Sequence, residues 1–255
     1  MRAGCAAILA LMAAVADAAE PAPAFDLGEI RVLGNTVLDV RSIEGVVYPF
    51  LGPGKSLKDV EAARKALGAV LARDGRIDVW VNNAGRGLLD SVAEMEMAAF
   101  RDMFGTNFFG AVAAMQAVIP VMRQQGTGTI INISSVAGHI PLPFHAGYSA
   151  TKFALNAIGK AARVELKGAG IHMLTVCPGY VRTGFGENEV IGTVKRRVRP
   201  ESVRGITAER VARATLRGYL KQKREVIVPW AMHIPVKFYQ LFPAVVERAM
   251  ARMAG

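Results

Sequence analysis

The stretch T-I-I-N-I-S-S-V-A-G-H-I-P-L-P-F-H-A-G-Y-S-A-T-K, residues 129–152, decides the fold. Residues 129–133 form a short, nearly continuous apolar run rich in β-branched side chains. A strand buried on both faces of a parallel sheet reads this way. Residues 148–166 then carry the spacing of an amphipathic helix. Working outward, the same alternation recurs. Residues 77–81 predict a strand leading into a helical stretch at about 97–124. Residues 171–176 predict a strand before a helix at 207–220, and residues 226–228 a last strand. The expected class is α/β, with a Rossmann-like parallel sheet covered by helices on both faces.

Within that frame, Tyr148 and Lys152 lie four residues apart and share one helix face. An ammonium beside a phenol favours the phenolate, so the tyrosine pKa is expected to fall from ~10 toward neutral. A group tuned in that way passes a proton to a carbonyl oxygen or takes one from an alcohol. A Y-x-x-x-K pair alone arises often by chance on exposed helix faces, and its surroundings are what sharpen it. Ser134-Ser135 ends the strand at 129–133, and Ser135 precedes Tyr148 by thirteen residues. A hydroxyl at the carboxyl end of a parallel strand stands where open α/β sheets bind ligands. Asn82-Asn83-Ala84-Gly85 follows the strand at 77–81 in the same way. Asn107 interrupts a helix within T-N-F-F-G, and Pro178-Gly179 with Thr183 follows the strand at 171–176.

These motifs in this order resemble the short-chain dehydrogenase/reductase family: N-N-A-G at 82–85, N-x-x-G at 107–110, the serine at 135, Y-S-A-T-K at 148–152 and P-G-Y-V-R-T at 178–183. The resemblance covers residues 75–230. It implies an NAD(P) cofactor, a small-molecule carbonyl or alcohol substrate, and hydride transfer with Tyr148 as acid/base. It further implies that Lys152 lowers the pKa of Tyr148 and holds the nicotinamide ribose, that Ser135 orients the substrate, and that Asn107 supports a proton-relay water. Asn83, Ala84 and Gly85 would border the cofactor, while Pro178, Gly179 and Thr183 would line the nicotinamide. His139, His145 and Phe185 are candidates for substrate contact, although His145 reads more simply as a loop histidine. Family members pair through the helices that here carry Asn107 and Tyr148, so a homo-oligomer fits the resemblance.

The family also uses three earlier strands and a T-G-x-x-x-G-x-G turn, whose backbone approaches the cofactor pyrophosphate at a helix N-terminus. No such motif occurs in these 255 residues. Gly52-Pro53-Gly54-Lys55-Ser56 and Gly184-Phe185-Gly186 are the nearest substitutes, and both read as turns. The Rossmann-like sheet is therefore expected to be truncated on its amino side, which would leave the strand at 77–81 as a hydrophobic edge. Residues 25–71, with F-D-L-G-E-I-R-V-L-G-N and V-Y-P-F-L-G-P-G-K-S-L, instead resemble part of the POTRA module of two-partner secretion transporters of the haemolysin-activation type. That resemblance implies a small α+β fragment and a periplasmic protein partner. Residues 1–18 carry a charged start, an apolar core and a small-x-small site, the pattern of a secretory signal peptide, and residues 19–24 form a Pro/Ala linker. The expected organisation is thus a signal peptide (1–18), a linker (19–24), a partial POTRA-like segment (25–71) and a truncated reductase domain (72–255). The export signal points to the periplasm and the reductase half to the cytoplasm. Three readings follow: a reductase in which this chain turns over poorly or not at all, a periplasmic interaction module, and a non-functional fusion of two gene fragments.

Composition excludes several other classes. Apolar residues make up 52% and charged residues 20%, which is globular, and no uninterrupted apolar run reaches the ~20 residues that cross a bilayer. The net charge of +10 is spread along helices, with one cluster at Lys195, Arg196, Arg197, Arg199 and Arg204. No groove-reading motif accompanies it, so no nucleic-acid partner is expected. Residues 232–253 are amphipathic and basic. They suit a weak membrane-surface contact, and suit packing against the body or a partner subunit better. Cys5 and Cys177 read as structurally inert, and no metal site is expected.

Overall fold

In a computed structural model of the chain, residues 68, 71, 74–183, 185, 189–193 and 205–254 are described. The segments read as signal peptide, linker and, apart from residues 68 and 71, the POTRA-like stretch lie outside them, as does the basic cluster at 195–204. Residues 68, 71 and 74 are helical. Gly75 follows, with a φ of +73° that suits a residue without Cβ and an N–H that donates back to the Leu71 carbonyl at 2.8 Å.

The chain then alternates as expected. It runs β1 (Val79–Asn82), the two-residue β2 (Leu88–Leu89), α1 (Met97–Phe104), a π-turn at Gly105–Phe109, α2 (Gly110–Gln125), β3 (Gly128–Ile133) and α3 (Ala146–Glu165). β4 (Ile171–Pro178), the short strands β5 (Val181–Arg182), β6 (Val190–Ile191) and β7 (Ile206–Thr207), α4 (Ala208–Leu220) and β8 (Glu225–Val228) follow. The amphipathic tail is two helices, α5 (His233–Leu241) and α6 (Pro243–Ala254), because a break falls at Phe242-Pro243. The main sheet is parallel throughout, in the order β1-β3-β4-β8.

Both faces of that sheet are covered. On one, Ile130, Ile171 and Met173 pack with Met115, Val118 and Met122 of α2 and Ala162 of α3. On the other, Ile131, Ile133, Leu174 and Val176 pack with Val211 and Ala212 of α4. β3 is buried along its whole length, the environment that suits its nearly continuous apolar run. β1 is the edge strand among the described residues, and its side chains are only half-buried. A side-chain ladder ties it to β3: the Trp80 indole donates to Asn82 Oδ1, and Asn82 Nδ2 to Asn132 Oδ1, each at 2.7 Å. The helical stretch Met97–Gln125 is long and apolar enough to cross a membrane. Met115, Val118 and Met122 nevertheless face the sheet, as in a core helix.

The turn from α3 into β4 is the tightest backbone contact. Gly170 has a φ of +68°, and a Cβ there would stand 2.2 Å from the Gly126 carbonyl oxygen. Gly170→Ala is expected to lower the unfolding free energy by about 1–3 kcal/mol. Urea unfolding should show this as a lower midpoint at an unchanged slope.

Candidate active site

Three parallel strands deliver the site residues to one end of the sheet. β1 ends at Asn82 and opens into Asn83-Ala84-Gly85, β3 ends at Ile133 before Ser134-Ser135, and β4 ends at Pro178 before Gly179. α3 brings Tyr148 and Lys152 across that end. The structure therefore places Asn107, Ser135, Tyr148, Lys152 and Gly85 together.

Asn107 is the anchor. One wide turn, the π-turn at Gly105–Phe109, separates α1 from α2 and aims Asn107 inward, where it is 1% exposed. Its Oδ1 accepts from the Arg86 N–H at 2.8 Å, and its Nδ2 donates to the Arg86 carbonyl at 2.9 Å and to Thr151 Oγ1 at 3.0 Å. One amide thus clamps the loop after β1 to α3. Arg86 is fixed further by an ion pair with Asp102 of α1. Arg86 and Thr151 are functional partners that sequence reasoning missed, since the signal at Asn107 says nothing of what its amide binds.

Lys152 is buried, and its Nζ donates to the Ile133 carbonyl at 3.1 Å. It sits 5.7 Å from the centre of the Tyr148 ring. Loss of hydration pushes its pKa down to about 8. The expectation that Lys152 draws Tyr148 toward neutral is not met, because burial pushes the phenol up to about 12, outweighing the hydrogen bond from Ser135. Both groups are thereby biased toward their uncharged forms. Ser135 is held in place by donating to the Pro178 carbonyl at 3.4 Å and accepting from the Ala137 N–H at 3.1 Å.

The walls follow from the loops. A Cβ on Gly85 would lie 3.4 Å from both Asn107 Oδ1 and Lys152 Nζ, so the backbone there approaches the polar centre closely. The Gly179 N–H donates to the Val228 carbonyl at 2.7 Å, which fixes the Pro178-Gly179 bend beside β8. Thr183 Oγ1 accepts from the Phe185 N–H at 3.3 Å. The Phe185 ring packs edge-on against Tyr148 at 5.7 Å, where a substrate contact was expected. His145 instead pairs with Glu189 at 3.1 Å, and His139 turns to Glu225 and Cys177. β6 pairs with β2, and Thr193 Oγ1 donates to the buried Asp90 at 2.9 Å, clipping that loop onto the sheet end.

The sequence and the fold have counterparts among known proteins. The short chain dehydrogenase family matches residues 54–191. The match starts inside the POTRA-like stretch, so residues 54–71 are shared between the two resemblances, and nothing independent of the sequence pattern supports a POTRA module or a signal peptide. The chain is 35% identical over 174 residues to dehydrogenase/reductase SDR family member 7B of Xenopus tropicalis, covering 68% of this chain and 56% of that protein. It is also similar to the structure of a short-chain dehydrogenase from Streptomyces avermitilis (29% identity, TM-score 0.62, 78% of this chain and 76% of that one). A short chain dehydrogenase from Burkholderia cenocepacia solved with NADP shares the fold at 23% identity (TM-score 0.64, 78% of this chain and 77% of that one). The chain spans about half to two thirds of the length of the curated relatives it matches.

The buried ammonium makes a signed prediction. Lys152 binds a proton less readily folded than unfolded, so its penalty is present in full below pH 8 and fades as pH rises toward 10.5. Lys152→Met should therefore be more stable than the parent at pH 7, by up to about 3 kcal/mol. That gap should close as pH rises toward 10.5. Urea unfolding of both proteins at pH 7 and pH 10 measures it.

Proposed function

Because the chain belongs to the short-chain dehydrogenase family, we propose that it is an NAD(P)-dependent oxidoreductase interconverting a carbonyl and an alcohol. The observation that carries this reading is the convergence of Ser135, Tyr148, Lys152 and Asn107 at the carboxyl ends of parallel strands. NAD(P) supplies or accepts the hydride when bound. Lys152 and the close backbone at Gly85 suit its nicotinamide-ribose end, and Asn83, Ala84, Pro178, Gly179 and Thr183 border the same space. Its pyrophosphate end finds no glycine-rich turn among the 255 residues.

Tyr148 moves the proton. Burial keeps the Tyr148 phenol protonated at neutral pH, with its proton available to a carbonyl oxygen. Ser135 hydrogen-bonds the same oxygen and orients it. Asn107, occupied by Arg86 and Thr151, acts by holding the loop and α3 in register and by supporting a relay water. Phe185 supplies an apolar wall. The lack of a T-G-x-x-x-G-x-G turn in the sequence supports weak cofactor affinity and poor turnover in this chain.

A second reading, an exported chain with a POTRA-like interaction segment, rests on the sequence pattern of residues 1–18 and 25–71. Periplasmic fractionation with processing after Ala18 would favour it, and a chain retained at full length in the cytoplasm would remove it. Pairing of copies through the helices carrying Asn107 and Tyr148 fits the exposed Phe109, Phe153 and Val164. A weak membrane contact of the tail fits the exposed Ile234, Leu241 and Val245.

Titration of the purified chain with NADPH and NADH, read by fluorescence transfer, should give millimolar-range binding. Micromolar binding would contradict the weak-affinity account. Tyr148→Phe should abolish turnover and leave cofactor binding nearly intact, and unchanged turnover would remove Tyr148 from its role.

A further inference from the structure

A second cluster lies outside the catalytic constellation. His139 follows the 3₁₀ turn Val136–Gly138, Cys177 lies in β4, and Glu225 opens β8. His139 Nε2 is 3.3 Å from Glu225 Oε2 and 3.4 Å from Cys177 Sγ, and the three potential ligand atoms all lie within 4.8 Å of one another. We infer that His139, Cys177 and Glu225 form a binding site for a thiophilic divalent cation of the zinc class.

The argument is geometric first. A tetrahedral zinc with bonds of ~2.0 Å to nitrogen and oxygen and ~2.3 Å to sulfur sets ligand atoms about 3.3–3.6 Å apart. The two distances at His139 Nε2 already match, and only the Cys177–Glu225 edge needs to close. The three ligands stand on elements fixed by packing: Cys177 is fully buried, and Val136, Ile140, Ile227 and Val236 surround it. Rigid support of this kind is what a metal site requires.

The chemistry agrees. One imidazole, one thiolate and one carboxylate suit zinc, and the two anions balance a dication. An imidazole Nε2 carries at most one proton, so without a cation it cannot hold both neighbours by full hydrogen bonds. Zinc-class cations take cysteine as the thiolate, so binding to the Cys177 thiol releases a proton. The Glu225 side chain is 29% exposed against 6% for His139, so the cluster opens to solvent on the Glu225 side.

Titration of the metal-free full chain with Co(II) tests the site. The expected result is one equivalent bound, with a thiolate-to-cobalt absorption band, tetrahedral ligand-field bands, release of about one proton, and displacement by Zn(II). Cys177→Ser should lose the thiolate band. Glu225→Gln should keep it but bind at least about tenfold more weakly, the loss that even outer-sphere partners produce. Absence of saturable binding, a purely octahedral spectrum, or a thiolate band that survives in Cys177→Ser because Cys5 supplies it would overturn the assignment.

Discussion

The site depends on burying one ammonium group. Lys152 lies under the loop after β1 and against the end of β3, with a backbone carbonyl as its hydrogen-bond acceptor. A charge in that position costs free energy, and only a tightly determined surrounding structure holds it there. β3 and β4 provide that structure, since both are packed on two faces and cannot shift independently of the helices that cover them. The cost appears as the depressed pKa of Lys152, while the separate burial of the Tyr148 phenol raises that group's own pKa. A site strained toward neutrality in this way is a common mark of function.

Asn107 solves the complementary problem. The loop after β1 carries backbone groups that no sheet partner satisfies, and an irregular loop this close to the core needs internal hydrogen bonds. The π-turn supplies them by rotating one amide into the interior, where it satisfies both the N–H and the C=O of Arg86 and reaches Thr151 on the helix of Tyr148. The loop and α3 are therefore positioned by one side chain. The second cluster plays a similar part on the other side of Ser135, because it ties the turn after that serine to β4 and β8.

Much of this was legible in the sequence, for definite reasons. Mostly apolar runs such as 129–133 and 171–176, rich in β-branched residues, suit the inside of a parallel sheet, so the strands fell within two residues of their observed bounds. The interruption at Asn107 was legible because an asparagine amid apolar helix residues must find partners. The partners themselves were not, since Arg86 lies twenty-one residues away. The pKa of Tyr148 was misread because spacing reports the neighbouring charge and not the burial that outweighs it. The grouping of His139, Cys177 and Glu225 was not legible for a related reason: each belongs to a different element, and only the fold brings them together.

The central claim is that this constellation transfers hydride to a carbonyl while Tyr148 delivers the proton. A single-turnover reaction with 4-deuterated NADPH at saturating concentration, run against a panel of carbonyl compounds, addresses it most directly. The account predicts deuterium on the carbinol carbon of the product and solvent hydrogen on its oxygen. Label transfer no higher than that of the Tyr148→Phe protein across the panel would contradict it.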